Sequence, residues 1–204
     1  MDDYLKLVIR LQAIVQSVLV YANNEFDKER YEEIRDIACH LMEYKIDLPF
    51  KKIKNLFGNE KGYQTPKIDT MAAVFKDDKI LLVHENNDTW ALSSGWCDAL
   101  ESIKSNIINE VNEKAGLQVD AVNLIVVQDR NKHNSPVYAY GVCKIFVLCK
   151  VVGGLFKKNN EIIETKYFSL EEIHKNLTNE KITLEQIKLC FKANNNPNFE
   201  TYFD

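Results

Sequence analysis

A chain of 204 residues with 46% hydrophobic and 27% charged side chains can bury a sizeable core, which excludes a disordered or fibrous protein. The net charge of -4 argues against nucleic acid as the main partner, since phosphate binding normally shows as a basic surplus. No run reads as apolar and long enough to span a bilayer, and the Met-Asp-Asp-Tyr start is too acidic for a secretory signal. The five scattered cysteines (Cys39, Cys97, Cys143, Cys149, Cys190) form no Cys-x-x-Cys pair, so reduced thiols in a cytoplasmic protein are expected.

In chain order, the first 60 residues have helical periodicity. Leu5, Val8, Ile9, Ile14, Val15, Val18 and Leu19 recur largely at spacings of three and four and put an apolar stripe on one helix. Asp27 is the expected N-cap of a second helix, with Tyr31, Ile34, Ile37, Ala38 and Leu41 inward. A short third helix is expected from about Pro49 to Leu56, since proline is tolerated in a first turn. Residues 61–66, ending Gly-Tyr-Gln-Thr-Pro, read as a linker. The pattern then changes. Ile68 to Phe75 and Lys79 to Glu85, joined by Asp77-Asp78, predict a hairpin. A glycine-containing loop leads into a helix from about residue 101, which Gly116 ends. Residues 121–128 and 138–151 predict two more strands, the second broken by Gly153-Gly154. Ser169 with Glu172 and Thr183 with Gln186 are capping-box pairs that predict two C-terminal helices, and Asn194 to Pro197 cannot continue the last. The fold class is α/β with a mixed sheet over residues 67–204, preceded by a small all-helical domain over residues 1–60.

One segment carries chemistry. Glu110 and Glu113 are three apart and share a helix face beside the loop around Gly95. Paired carboxylates beside a loop can hold a hard divalent cation such as Mg²⁺, whose remaining ligands come from water and phosphate oxygens. Taken alone, two glutamates at this spacing are more often a solvated face. Elsewhere, His84 at a strand end reads as structural. Tyr138 and Tyr140, expected to alternate on a strand, read as core packing.

The spacing sharpens this reading. Gly95 and Glu101 are separated by five residues, and Glu101 and Asn109 by seven; Glu110, Val111, Glu113, Gly116 and Leu117 then follow in register. This pattern resembles the signature of the Nudix hydrolases, matching seven of nine defined positions over 23 residues. Trp90-Ala-Leu92 and Gly153-Gly154 with an acidic stretch after it also resemble that family. Leu11 to Ile14, Glu29 to Arg35, Gly62 to Lys67 and Asp129 through His133 resemble a branch with a helical N-terminal domain, which hydrolyses nucleoside diphosphate derivatives such as CDP-choline or ADP-ribose.

The resemblance implies an α/β/α sandwich, Mg²⁺ or Mn²⁺ as cofactor, and water attack on a diphosphate linked to another group, releasing a nucleoside monophosphate. Carried over by position, Glu101, Glu110 and Glu113 are the expected metal ligands. Glu110 and Glu113 are expected to be catalytic, with Glu161 or Glu164 as a late carboxylate that could act as general base or complete the metal shell, Glu164 being preferred. Gly95, Lys114, Asp129 and His133 are the expected substrate contacts. The helical domain is expected to form a homodimer or to pack its stripe on the domain that follows, because some 60 residues bury little apolar surface by themselves; no membrane partner is expected.

Four positions depart from the family pattern. Lys114 stands where a metal-binding glutamate is usual, Asn109 where an arginine is usual, and Ser94 where a glycine allows unusual backbone angles. Leu100 also replaces a common glycine. Two readings stay open: an active hydrolase, and a catalytically impaired relative that binds a nucleotide or protein partner. A third, a nucleic-acid regulator, is disfavoured because Arg10, Lys28, Arg30 and Arg35 sit among many acids.

Overall fold

The structure is a computed structural model that describes residues 3–45, 49–59, 62–173 and 176–204. Met1, Asp2 and the first linker residue, Lys61, lie outside these. The chain divides into two compact units, one of Met1–Pro66 with Val137–Gly141, the other of Lys67–Pro136 with Val142–Asp204.

The first unit holds α1 (Asp3–Tyr21), α2 (Glu25–Glu43) and α3 (Phe50–Phe57). Val8, Ala38, Cys39, Met42, Ile53 and Phe57 form its core. The cap of α2 is Asn24 rather than Asp27. Asn24 has the extended backbone a cap requires, and its side chain accepts from the Phe26 N–H at 2.9 Å. Asp27 falls inside the first turn and pairs with Arg30 at 3.1 Å.

By length and composition α1 could cross a membrane, contrary to the expectation that no run would qualify. Its buried face carries polar side chains that bond within the helical unit. The buried Gln12 and Gln16 donate to the carbonyls of Phe57 (2.9 Å) and Gly62 (3.0 Å), and Gln12 also donates to Gln16 (3.2 Å). Residues 137–141 join this unit through Ala139, so Tyr138 and Tyr140 do not alternate on a strand. Their rings lie 5.2 Å apart in irregular chain ahead of the strand that begins at Val142.

The second unit is built on one mixed sheet of eight strands. These are β1 (Lys67–Lys76), β2 (Lys79–Glu85), β3 (Trp90–Ala91), β4 (Ser93–Trp96), β5 (Leu117–Asp129), β6 (Val142–Gly154), β7 (Ile162–Phe168) and β8 (Tyr202–Phe203). The order is β3-β2-β1-β6-β5-β8, with β4 also on β1 and β7 on β2. The pairs β1–β6 and β5–β8 are parallel and the others antiparallel. Helices α4 (Ile103–Ala115) and α6 (Leu184–Asn195), a one-turn α5 (Arg130–His133) and a 3₁₀ turn at Leu170–Glu172 complete it.

The apolar run of β1 is continuous because both of its faces are covered. Met71 and Ala73 pack under α6 with Ile187, Cys190 and Phe191, while Ala72 and Val74 pack under α4 with Ile107, Val111 and Ala115. Each large aliphatic side chain so buried contributes about 1.5–3 kcal/mol. The result is the expected sandwich of helix, sheet and helix.

Several boundaries differ from the sequence reading. β5 starts four residues earlier than expected, and β6 runs through Gly153-Gly154, which pair with Gln118 and Leu117. The predicted helix after Ser169 is only a three-residue turn, although both capping boxes form. That first box has a measurable consequence. The Glu172 carboxylate accepts from the Ser169 N–H (2.8 Å) and the Lys79 ammonium (3.0 Å), which hold its pKa down at about 2. A depressed carboxyl stabilises the fold above its ordinary pKa, and that contribution is lost as pH falls toward about 2. Glu172→Gln should therefore flatten the acid limb of the stability curve below pH ~4.3, the ordinary Glu value, as read by circular dichroism. An unchanged acid limb would refute the assignment.

Candidate active site

The signature helix α4 is fixed at both ends. Ser102 caps it with Ser105 in a reciprocal box, two residues later than the expected start. Gly116 ends it in the left-handed conformation (φ 66°), where a Cβ would meet the Leu155 carbonyl oxygen at 2.5 Å. Asn159 closes the open end, donating to the carbonyls of Glu113 (3.0 Å) and Lys114 (3.4 Å). Buried Asn106 donates to Thr70 Oγ1 (2.8 Å), which donates to the Gly95 carbonyl (3.3 Å). Helix, loop and β1 are thereby one hydrogen-bonded unit.

The segment before the helix is a strand and not a free loop: β4 pairs Ser94 with Met71 and Gly95 with Thr70. Ser94 is absent from the positive-φ residues, so the glycine missing there is not needed for backbone angles. Gly95 is required for a different reason. The Glu110 carboxylate lies against its bare backbone, in space that a Cβ would fill. Ser93 Oγ anchors the same turn by donating to the Glu110 carbonyl at 3.0 Å.

Lys114 reaches back over this carboxylate. Its ammonium donates to the Ser94 carbonyl and lies 3.3 Å from Glu110 Oε2, with both side chains only 17% exposed. Glu110 Oε2 is buried without a directed hydrogen bond, so that contact is ionic. Burial pushes the Glu110 carboxyl above its ordinary pKa; Lys114 pulls it back down, and the negative charges of Glu113 and Glu161 add to the rise.

The other expected site residues divide into groups. Asn109 donates to Glu101 Oε1 at 3.3 Å, so its amide does reach that carboxylate, without supplying a charge. Glu113 lines a cavity of about 640 Å³ together with Lys157, Lys158 and Asn159. These three were missed in the sequence because nothing local marks a loop that closes on a distant helix end. Glu164 lies on β7 and not in a loop; it faces His84 Nδ1 at 3.4 Å, and His84 Nε2 contacts Asp88 at 2.9 Å. Asp129 and His133 belong to a separate cluster. Asp129 caps α5, and Asp204 accepts from its N–H (2.9 Å) and contacts His133 Nε2 (2.6 Å).

Among the described residues, no three His, Cys, Asp or Glu side chains converge to hold a metal ion. In this arrangement Glu101 meets Asn109, Glu110 meets Lys114, and Glu113 lines the cavity with Lys157 and Lys158. Beside Glu110, the helix face that would add a second carboxylate presents an ammonium. As placed, the residues at Glu110 do not fit a divalent cation.

A mixed sheet between two helices, with the glycine-backed glutamate on α4, fits the class that the matching domain defines: the chain belongs to the Nudix hydrolase family, enzymes of phosphoric anhydrides that generally use divalent metals. The NUDIX domain matches residues 65–188, and the UDP-X-like, N-terminal oligomerisation domain matches residues 2–57. The chain is 31% identical over 202 residues to YjhB of Bacillus subtilis (strain 168), provisionally named an ADP-ribose pyrophosphatase, covering 98% of this chain and 97% of that one. It is 44% identical to the crystal structure of an ADP-ribose pyrophosphatase from Streptococcus suis 89-1591, covering 69% and 100% of the two chains at TM-score 0.64. It is 28% identical to a UDP-X diphosphatase structure, covering 99% and 98% at TM-score 0.63.

Proposed function

We propose that the protein hydrolyses the pyrophosphate of a nucleoside diphosphate linked to another moiety, of the ADP-ribose or CDP-choline type. Water adds to one phosphorus, the bridging P–O bond breaks, and a nucleoside monophosphate and the phosphorylated moiety leave. The observation that carries this reading is the half-buried Glu110 carboxylate seated on Gly95, one helical turn before Glu113, which lines a cavity with Lys157 and Lys158. The two lysines suit phosphate oxygens as point charges. Glu110, whose proton affinity is raised by burial, suits the proton given up by the attacking water. It is preferred over Glu164, which faces His84. Mg²⁺ or Mn²⁺, as the family suggests, would bind away from the Glu110–Lys114 pair.

A second reading, nucleotide binding without hydrolysis, is favoured by one observation: Lys114 already neutralises Glu110. Chromatography of products from an ADP-ribose and CDP-choline panel separates the two. Under the first reading AMP or CMP appears, and Glu110→Gln slows its release about a hundredfold. A melting temperature that rises with nucleotide while no product forms would leave only the second.

We place the protein in the cytoplasm, a reading supported by its five free thiols. We also propose a homodimer through the helical unit. Leu7, Ile14 and Tyr21 recur at intervals of seven on α1 and are 70%, 44% and 76% exposed. That stripe continues no core of its own unit and fits a second copy, in keeping with the oligomerisation domain it matches.

A further inference from the structure

Lys114 is placed as a bound cation would be. Its ammonium takes one backbone carbonyl oxygen, from Ser94, and one carboxylate oxygen, from Glu110, which is the donor chemistry a hard cation selects. It is tethered one helical turn beyond Glu110, so the pairing needs no rearrangement of α4. The surroundings hold it there. Gly95 leaves the carboxylate no covering side chain, Ser93 ties the Glu110 backbone to β4, and Asn159 caps the carbonyl of Lys114 itself. A divalent ion brought to the same oxygens would stand against this ammonium, whose displacement would strip the positive charge from a carboxylate that is 17% exposed.

We infer that the Lys114 ammonium is the resident cation of the signature helix, occupying the Ser94–Glu110 oxygens and excluding Mg²⁺ and Mn²⁺ from Glu110. The inference rests on reading Glu110 as the centre of the anhydride site, but it concerns cation occupancy and holds whether or not substrate turns over. It separates this chain from one that carries glutamate at position 114, where the same oxygens would be free for a metal.

Loss of the free Mn²⁺ electron paramagnetic resonance signal, titrated into the full-length protein and its variants, tests this directly without any substrate. Lys114→Glu should bind Mn²⁺ at least about tenfold more tightly than the wild type, as expected from reversing a charge in contact with the ion. Lys114→Gln, which keeps the length and removes the charge, should gain affinity in the same direction and covers the case in which Lys114→Glu does not fold. Adding Glu110→Gln to either variant should abolish the gain. If the wild type binds Mn²⁺ and Glu110→Gln leaves that binding intact, the ion lies elsewhere and the inference stands. Wild-type binding that Glu110→Gln removes would overturn it, and so would folded Lys114 variants with no gain in affinity. A failed substrate panel alone would count against hydrolysis and leave this result untouched.

Discussion

Gly95→Ala should lower anhydride turnover about a hundredfold while leaving the melting temperature nearly unchanged. The added methyl group falls within the Glu110 carboxylate, and the atoms it meets are the far end of a flexible side chain. The strand need not move; the carboxylate must. A displacement of an ångström or more is enough to cost on the order of a hundredfold in a step that depends on a positioned base. Stability should change by less than about 1 kcal/mol, since the backbone at Gly95 requires no unusual angle and the ion pair lost is only partly buried. Steady-state kinetics on the substrate that the wild type accepts, with a thermal melt alongside, would check both halves. Full activity in Gly95→Ala would mean that Glu110 does not act from this position. A collapsed melting temperature would mean that Gly95 serves the strand and not the carboxylate.

The second large effect lies outside the site. Lys144→Met should destabilise the sheet unit by about 3 kcal/mol, the lower end of what breaking a buried ion pair costs. Lys144 on β6 is 1% exposed, and its ammonium has three partners: Asp69 Oδ2 at 2.9 Å, the Lys181 carbonyl at 2.5 Å and Met71 Sδ at 3.6 Å. Burial pushes its pKa down, Asp69 pulls it back up, and the nearby Arg130 and Lys181 charges lower it further. Methionine would fill the volume but leave the Asp69 charge and the Lys181 carbonyl without their donor. Asp69 keeps some contact with water at 16% exposure, which is why the lower figure applies. For a chain of this size the melting temperature should fall by about 6–12 °C. Adding Asp69→Asn should recover part of that loss, because the uncompensated charge is then removed. A single variant as stable as the wild type, or a double variant no better than the single, would show that the pair does not hold this part of the sheet.

The two predictions differ in how far the sequence could have led to them. Gly95 and Glu110 are legible because the family signature they resemble is local: loop, helix and glycine stop lie within 23 residues. The capping boxes at Ser169 and Thr183 and the turn at Asp77-Asp78 were legible for the same reason, since each is closed by residues three or fewer apart. Lys144 was not legible. A lysine in a strand reads as solvent-facing until Asp69, 75 residues away, becomes its direct neighbour in the parallel β1–β6 register. β4 and β7 escaped because neither has a strong apolar alternation, and their partners are supplied by β1 and β2. Tyr138 and Tyr140 were assigned to a strand because their residue types favour one, yet their segment joins the other unit.

The signature helix shows the same division within one element. Sequence by itself determined the family, the sandwich with a helical unit before it, the positions of Glu101, Glu110 and Glu113, and the charge reversal at Lys114. It also set the choice between a lysine that repels a cation and one that takes its place, since both follow from an ammonium one turn beyond a carboxylate. Only the tertiary structure decided between them. Pairing of β4 with β1 brings the Ser94 carbonyl and the bare Gly95 backbone against α4, and burial there gives the Lys114 ammonium two oxygens and little water. Spacing is a property of the chain, whereas burial and the oxygens that meet a charge depend on segments that only folding brings together.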